Sequence, residues 1–144
     1  MHGDDDMRKW NIPITYEPKI EPVRKGLCTQ TIRTGRKFAV GDIIRFYRWT
    51  GKPYRSKRET ITEYMPLEYV FEIDIRKDGI VTYNFDGYAD AIFEWETKDA
   101  ARLAQLDGIV PPTGEALRDV LVSKNGKIPE SGVEAQIIRW RYSD

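Results

Sequence analysis

The order of apolar and polar positions divides the chain into strands first and helices later. Leu67, Tyr69, Phe71, Ile73 and Ile75 alternate with Glu68, Val70, Glu72, Asp74 and Arg76. That period of two predicts a strand with one buried face. Asp78-Gly79 predicts a positive-φ turn, and Val81, Tyr83 and Phe85 alternate back, so a hairpin is expected over residues 67–85. Residues 29–33 are rich in β-branched types and predict a short strand. Residues 43–49 predict another after the Gly41-Asp42 turn, and Gly51 and Pro53 make residues 50–57 a loop. Residues 133–142 form a last strand. Its apolar run of Ile137, Ile138 and Trp140 predicts a place inside the sheet, away from its edge.

Helical spacing is confined to residues 97–125. Thr97 can cap a helix that runs through Ala101, Leu103 and Ala104 and stops at Gly108. Thr113 can cap a second, whose apolar face is Ala116, Leu117, Val120 and Leu121 and whose end is Asn125-Gly126. Residues 1–22 carry Pro13, Pro18 and Pro22 and are expected to form an N-terminal arm. Within it Trp10, Ile12, Ile14 and Tyr16 alternate, as in a short edge strand. Residues 23–144 form the domain. Strands, two helices and a closing strand predict an α+β domain on a small β-barrel, with two or three flanking helices.

Composition narrows the chemistry. At 144 residues the chain suits one domain, and 40% hydrophobic residues suffice for one core. Cys28 is the single cysteine, so no internal disulfide forms. His2 is the single histidine, which argues against Cys/His zinc sites and histidine triads, and no cofactor is expected. The start is acidic, and no apolar run approaches the roughly 20 residues that span a bilayer. A cytoplasmic protein without a membrane partner is expected, its acidic start a frayed arm. Lys+Arg and Asp+Glu both number 23, which excludes a uniformly basic chain and leaves a basic face open.

Three stretches carry a family resemblance. The first is Gly26-Leu27-Cys28-Thr29-Gln30-Thr31-Ile32-Arg33. The second is Val40-Gly41-Asp42-Ile43-Ile44, with residues 49–57 behind it. The third is Ala104-Gln105-Leu106-Asp107-Gly108, followed later by Ile137-Ile138-Arg139-Trp140. In this order, from about Val23 onward, the chain resembles the ASCH family, whose members share a PUA-like β-barrel. The resemblance implies a cleft beside the barrel for RNA or a modified nucleoside. It also implies two possible activities, N4-acetylcytidine amidohydrolase and ribonuclease. Thr31 and Arg33 match the amidohydrolase pattern. Cys28 stands where that pattern has its Lys, and Asp107 falls near the position of its Glu.

The residues themselves point to binding. Arg33, Arg36, Lys37, Arg45, Arg48, Lys52, Arg55, Lys57 and Arg58 lie in one run whose sole acid is Asp42. Cations on a strand and a mobile loop suit phosphate contacts, and Trp49 and Tyr54 among them suit stacked bases of a single strand. A solvated strand edge would share this composition. Thr29, Thr31 and Arg33 share a strand face and could hold a phosphate, a carboxylate or a base edge. Asp107 is either a helix-closing residue or a carboxylate working with Thr31. Cys28 is expected as a small buried thiol. Arg139 and Arg141 extend the basic face or pair with the acids of residues 68–74. Asp86, Asp90, Glu94 and Glu96 are expected as a solvated acidic surface, since their spacing matches no calcium loop. RNA or single-stranded nucleic acid is therefore the expected partner, bound in a basic cleft. The alternative is a small hydrolase of a modified nucleoside or of RNA. The sequence leaves the oligomeric state open.

Overall fold

The computed structural model describes residues 7–142, so the acidic start and His2 lie outside the described residues. In chain order the elements are β1 (Lys9–Pro13), α1 (Ile20–Arg24), β2 (Gln30–Arg33), β3 (Ile43–Trp49), β4 (Arg58–Thr60), β5 (Met65–Arg76), β6 (Gly79–Thr82), β7 (Ala91–Glu94), α2 (Lys98–Leu106), α3 (Gly114–Asn125) and β8 (Val133–Trp140). The α+β class holds. The eight strands form one mixed sheet in the order β1-β3-β5-β6-β7, with β4 beside β3 and β8 bridging β5 to β2. That sheet is not closed, which corrects the expected barrel.

β8 explains its own apolar run. It pairs with both β2 and β5, so it lies inside the sheet, and a hydrophobic core covers each of its faces. Ile137 and Ile138 are both 0% exposed and belong to different cores. Ile137 joins Ile73, Ile75, Leu103 and Leu117 under α2 and α3. Ile138 joins Ile12, Ile44, Phe46 and Leu67 on the other side. Each such side chain contributes roughly 1.5–3 kcal/mol by leaving water.

The helix caps form as expected. Thr97 accepts from the Ala100 amide at 3.3 Å, and Thr113 from the Ala116 amide at 3.1 Å. β1 is indeed an edge strand, in parallel register with β3. Residues 9–20 do more than dock as an arm, because Ile12, Ile14 and Ile20 are core residues.

Two local expectations change. A bulge between Leu67 and Tyr69 breaks the period of β5, and Tyr69 turns out to solvent. At the hairpin turn neither Asp78 nor Gly79 has positive φ. Glycine is needed at 79 for space, since a Cβ there would lie 2.5 Å from the Phe93 carbonyl oxygen of β7.

Candidate functional site

A short 3-10 turn, Glu17–Lys19, aims Lys19 into the protein between β2 and the end of α2. Lys19 Nζ donates to Thr31 Oγ1 at 2.9 Å and lies 3.3 Å from Asp107 Oδ2. Lys19 and Thr31 are each 2% exposed and Asp107 is 5% exposed. Buried charges are tolerated when paired and hydrogen-bonded, which is what the ammonium achieves here. Asp107 Oδ1 has no hydrogen-bond partner. Burial pushes the Asp107 carboxyl above the usual carboxylate range, against the pull of Lys19, Arg33 and Lys124.

Gly108 makes this convergence possible. Its φ of +76° ends α2, and a side chain there would meet Cys28 Sγ at 3.2 Å and Lys19 Cγ at 3.5 Å. Asp107 is thus both the residue closing the helix and a member of a buried polar cluster. Cys28 is buried, as expected, with Sγ 3.4 Å from the Gln30 carbonyl oxygen. Burial pushes its thiol up, so it stays protonated.

Arg33, at the end of β2, completes the cluster. Its Nε and Nη2 are buried and bond to nothing. Burial lowers its pKa to about 10, with Asp107 and Tyr47 opposing that fall and Arg36 adding to it. Thr29 sits elsewhere. It lines a cleft of about 490 Å³ beside α2, together with Phe85, Phe93, Arg102, Leu106 and Arg139. No residue of the basic run lines that cleft, but Arg36 and Lys37 line a second one, of about 200 Å³, with Glu134 and Gln136. Arg139 is held in the cleft by a two-pronged bond to Asp86, both contacts 2.7 Å, while Arg141 pairs with Glu68.

The cations of the basic run divide into held and free. Arg48 bonds to Glu59 at 2.8 Å and Glu17 at 3.2 Å. Arg45 donates to Asn11 Oδ1 at 3.1 Å and lies over the Tyr64 ring. Lys37 pairs with Glu72 at 3.3 Å. Asp42, the acid of the run, is buried and accepts from Trp10 Nε1 at 2.9 Å, so it does not neutralise the surface. Lys52, Arg55, Lys57 and Arg58 are exposed and have no carboxylate within 4.0 Å among the described residues.

Those four surround an aromatic ladder. Tyr47 and Trp49 share a face of β3 with ring centroids 5.6 Å apart, and Tyr54 lies 5.2 Å beyond Trp49. The Arg58 guanidinium sits 4.4 Å from the Tyr47 centroid and 5.1 Å from that of Trp49. The loop, expected to be mobile, is tied by internal bonds. Thr50 Oγ1 donates to the Lys57 carbonyl, and Ser56 Oγ accepts from the Gly51 amide. Within it the Arg55 amide bonds to the Lys52 carbonyl, with Pro53 and Tyr54 between. Tyr54 has φ +65° and is 85% exposed. Glycine usually fills that turn position, because a Cβ there costs about 1–2 kcal/mol.

Sequence reasoning missed Lys19 altogether. Its only signal was a lone lysine among apolar positions, Lys19-Ile20 after Pro18, in a stretch taken as an arm. Among the described residues no group of three His, Cys, Asp or Glu could hold a metal ion, and no helix is long and apolar enough to cross a membrane. No protein-family model, no curated protein and no solved structure matches the chain.

Proposed function

We propose that this protein binds single-stranded nucleic acid, RNA foremost, on the surface formed by Trp49, Tyr54 and Arg58, backed by the buried Tyr47 ring. The observation that carries this function is the ladder of rings ending in the strained, exposed Tyr54. Bases stack on such rings for about 1–3 kcal/mol each, and Lys52, Arg55 and Lys57 supply phosphate contacts alongside. The resemblance of residues 26–33 to the ASCH family, with its PUA-like fold, its RNA ligands and a cytoplasmic setting, belongs to the same proposal. Fluorescence anisotropy with labelled single-stranded RNA and DNA tests it. Binding is expected to weaken steeply with salt, and Lys52→Ala to lower the salt slope by about 0.7. Absence of binding at low salt overturns the proposal.

A second function, hydrolysis of a modified nucleoside such as N4-acetylcytidine or of RNA, is favoured by one distance. Lys19 Nζ stands 2.9 Å from Thr31 Oγ1, so an amine reaches the hydroxyl even though Cys28 occupies the position where the family pattern has its lysine. In its deprotonated form that amine would take the hydroxyl proton as Thr31 Oγ1 bonds to the acetyl carbon and return it to the cytidine N4 as the C–N4 bond breaks; water then hydrolyses the acyl-threonine to acetate and restores Thr31, with Asp107 orienting the amine. Acetate release from N4-acetylcytidine that disappears in Lys19→Met and Thr31→Val supports it. Release that survives both removes these residues from the chemistry.

A further inference from the structure

The strongest unexplained feature is the excess of buried positive charge where β2 and α3 end. Thr34 Oγ1 and Asn125 Oδ1 are 2.9 Å apart, which ties the two ends together and brings Arg33 and Lys124 to one corner. Lys19 joins them from the 3-10 turn, and the carboxylate facing this group is Asp107. Three cations thus face one acid, which is already engaged by Lys19. The Arg33 Nε and Nη2 donors are buried and have no acceptor. A guanidinium offers these donors as a planar fork that matches an oxyanion. Proteins do not normally bury such donors without a partner. Lys124 is an exposed residue, so the corner borders solvent.

We propose that this corner is a seat for a phosphate monoester, held by the Arg33 fork and the Lys124 ammonium. The charge count selects this ligand. A dianion cancels the excess of two, whereas a carboxylate leaves one charge unmatched. Arg33 is within electrostatic reach of Tyr47, the buried inner ring of the aromatic ladder, so a strand stacked on Trp49 and Tyr54 would run toward this corner with its terminal phosphate. Only this last link rests on the nucleic-acid function proposed above. The Lys124 ammonium is independent support. Burial lowers its pKa to about 8, Arg33 and Lys19 lower it further, and Asp107 opposes them. An arriving anion would reverse that and draw a proton onto Lys124.

Titration calorimetry on the full chain tests the seat with inorganic phosphate, cytidine 5′-monophosphate and cytidine. The monophosphate is expected to bind at least tenfold more tightly than cytidine, with phosphate competing. At pH 8 its binding should take up to about half a proton, because Lys124 is half protonated there, read from the dependence of the heat on the buffer. Arg33→Gln and, because Arg33 is part of the fold, the exposed Lys124→Gln should each erase most of the tenfold preference. Lys124→Gln should also erase the proton uptake. Equal binding of nucleotide and nucleoside, or an unchanged preference in Lys124→Gln, overturns the seat. A 5′-phosphorylated oligonucleotide compared with its 5′-hydroxyl form separates the two proposals. Binding of both without preference removes the seat and leaves the ladder. Phosphate binding without oligonucleotide binding removes the ladder and leaves the seat.

Discussion

Lys19 Nζ donates to Thr31 Oγ1 at 2.9 Å inside the protein, both residues being 2% exposed. A charge in that position is a structural commitment as well as a chemical opportunity. The ammonium satisfies Thr31 and balances Asp107, and among the described residues no other side chain is within hydrogen-bond or ion-pair distance of either.

Lys19→Met is accordingly expected to cost about 3–5 kcal/mol, because it leaves a buried carboxylate unpaired. The double variant Lys19→Met/Asp107→Leu should recover part of that loss, since it removes both charges together. Urea unfolding of the two singles and the double checks this. Additive losses would show that the ion pair is not the source of the cost.

Lys124 makes stability depend on pH in the alkaline range. Its pKa lies near 8 in the folded protein and at the usual 10.5 when unfolded, so the unfolded chain binds more protons between these values. Stability should rise with pH from about 8 toward 10.5, other groups being equal. The Tm of the protein and of Lys124→Gln across that range checks it. The slope should be shallower in the variant.

Asp107 acts in the opposite sense. Its carboxyl is raised by burial, so between the ordinary carboxylate range and the raised folded value the folded protein holds a proton that the unfolded chain releases. Its contribution to stability is largest at low pH and declines as pH rises from the ordinary carboxylate range through the raised folded value. Asp107→Asn should remove this decline in a plot of unfolding free energy against pH.

Tyr54→Gly separates strain from function. Glycine accepts φ +65° without the steric cost, although it gains entropy when unfolded. The Tm should hold or rise, while single-stranded oligonucleotide binding falls by about tenfold through loss of one stacking ring. A lower Tm with unchanged binding would mark Tyr54 as structural.

Gly79→Ala tests the reassigned role of that glycine. The added Cβ would meet the Phe93 carbonyl 2.5 Å away, and backbone cannot yield as a side chain does. A loss of about 1–3 kcal/mol is expected from thermal or urea unfolding. Gly41→Ala differs in kind. Gly41 has φ +95° and open space, so its cost would be conformational alone.

Periodicity and punctuation made the elements legible, because both act through the local backbone. The alternation of β5, the threonine caps of α2 and α3, and the apolar run of β8 could all be read along the chain. The basic run was equally plain as composition. Its availability was not, since Arg48, Arg45 and Lys37 find partners in distant segments while Lys52, Arg55 and Lys57 do not.

By itself, then, the sequence determined an α+β domain, the place of β2, β3, β5, β8, α2 and α3, the burial of Cys28, and a local excess of cations carrying Trp49 and Tyr54, while α1, β4 and β7 went unread. Only the tertiary structure decided that the sheet stays open, that the bulge turns Tyr69 outward, and that Lys19, Thr31, Asp107 and Arg33 meet. The reason is physical. Strand and helix patterns are set by neighbours along the chain. The pairing of buried charges is set by which segments approach through space, and here a turn near the start, a strand and a helix end enclose one ammonium.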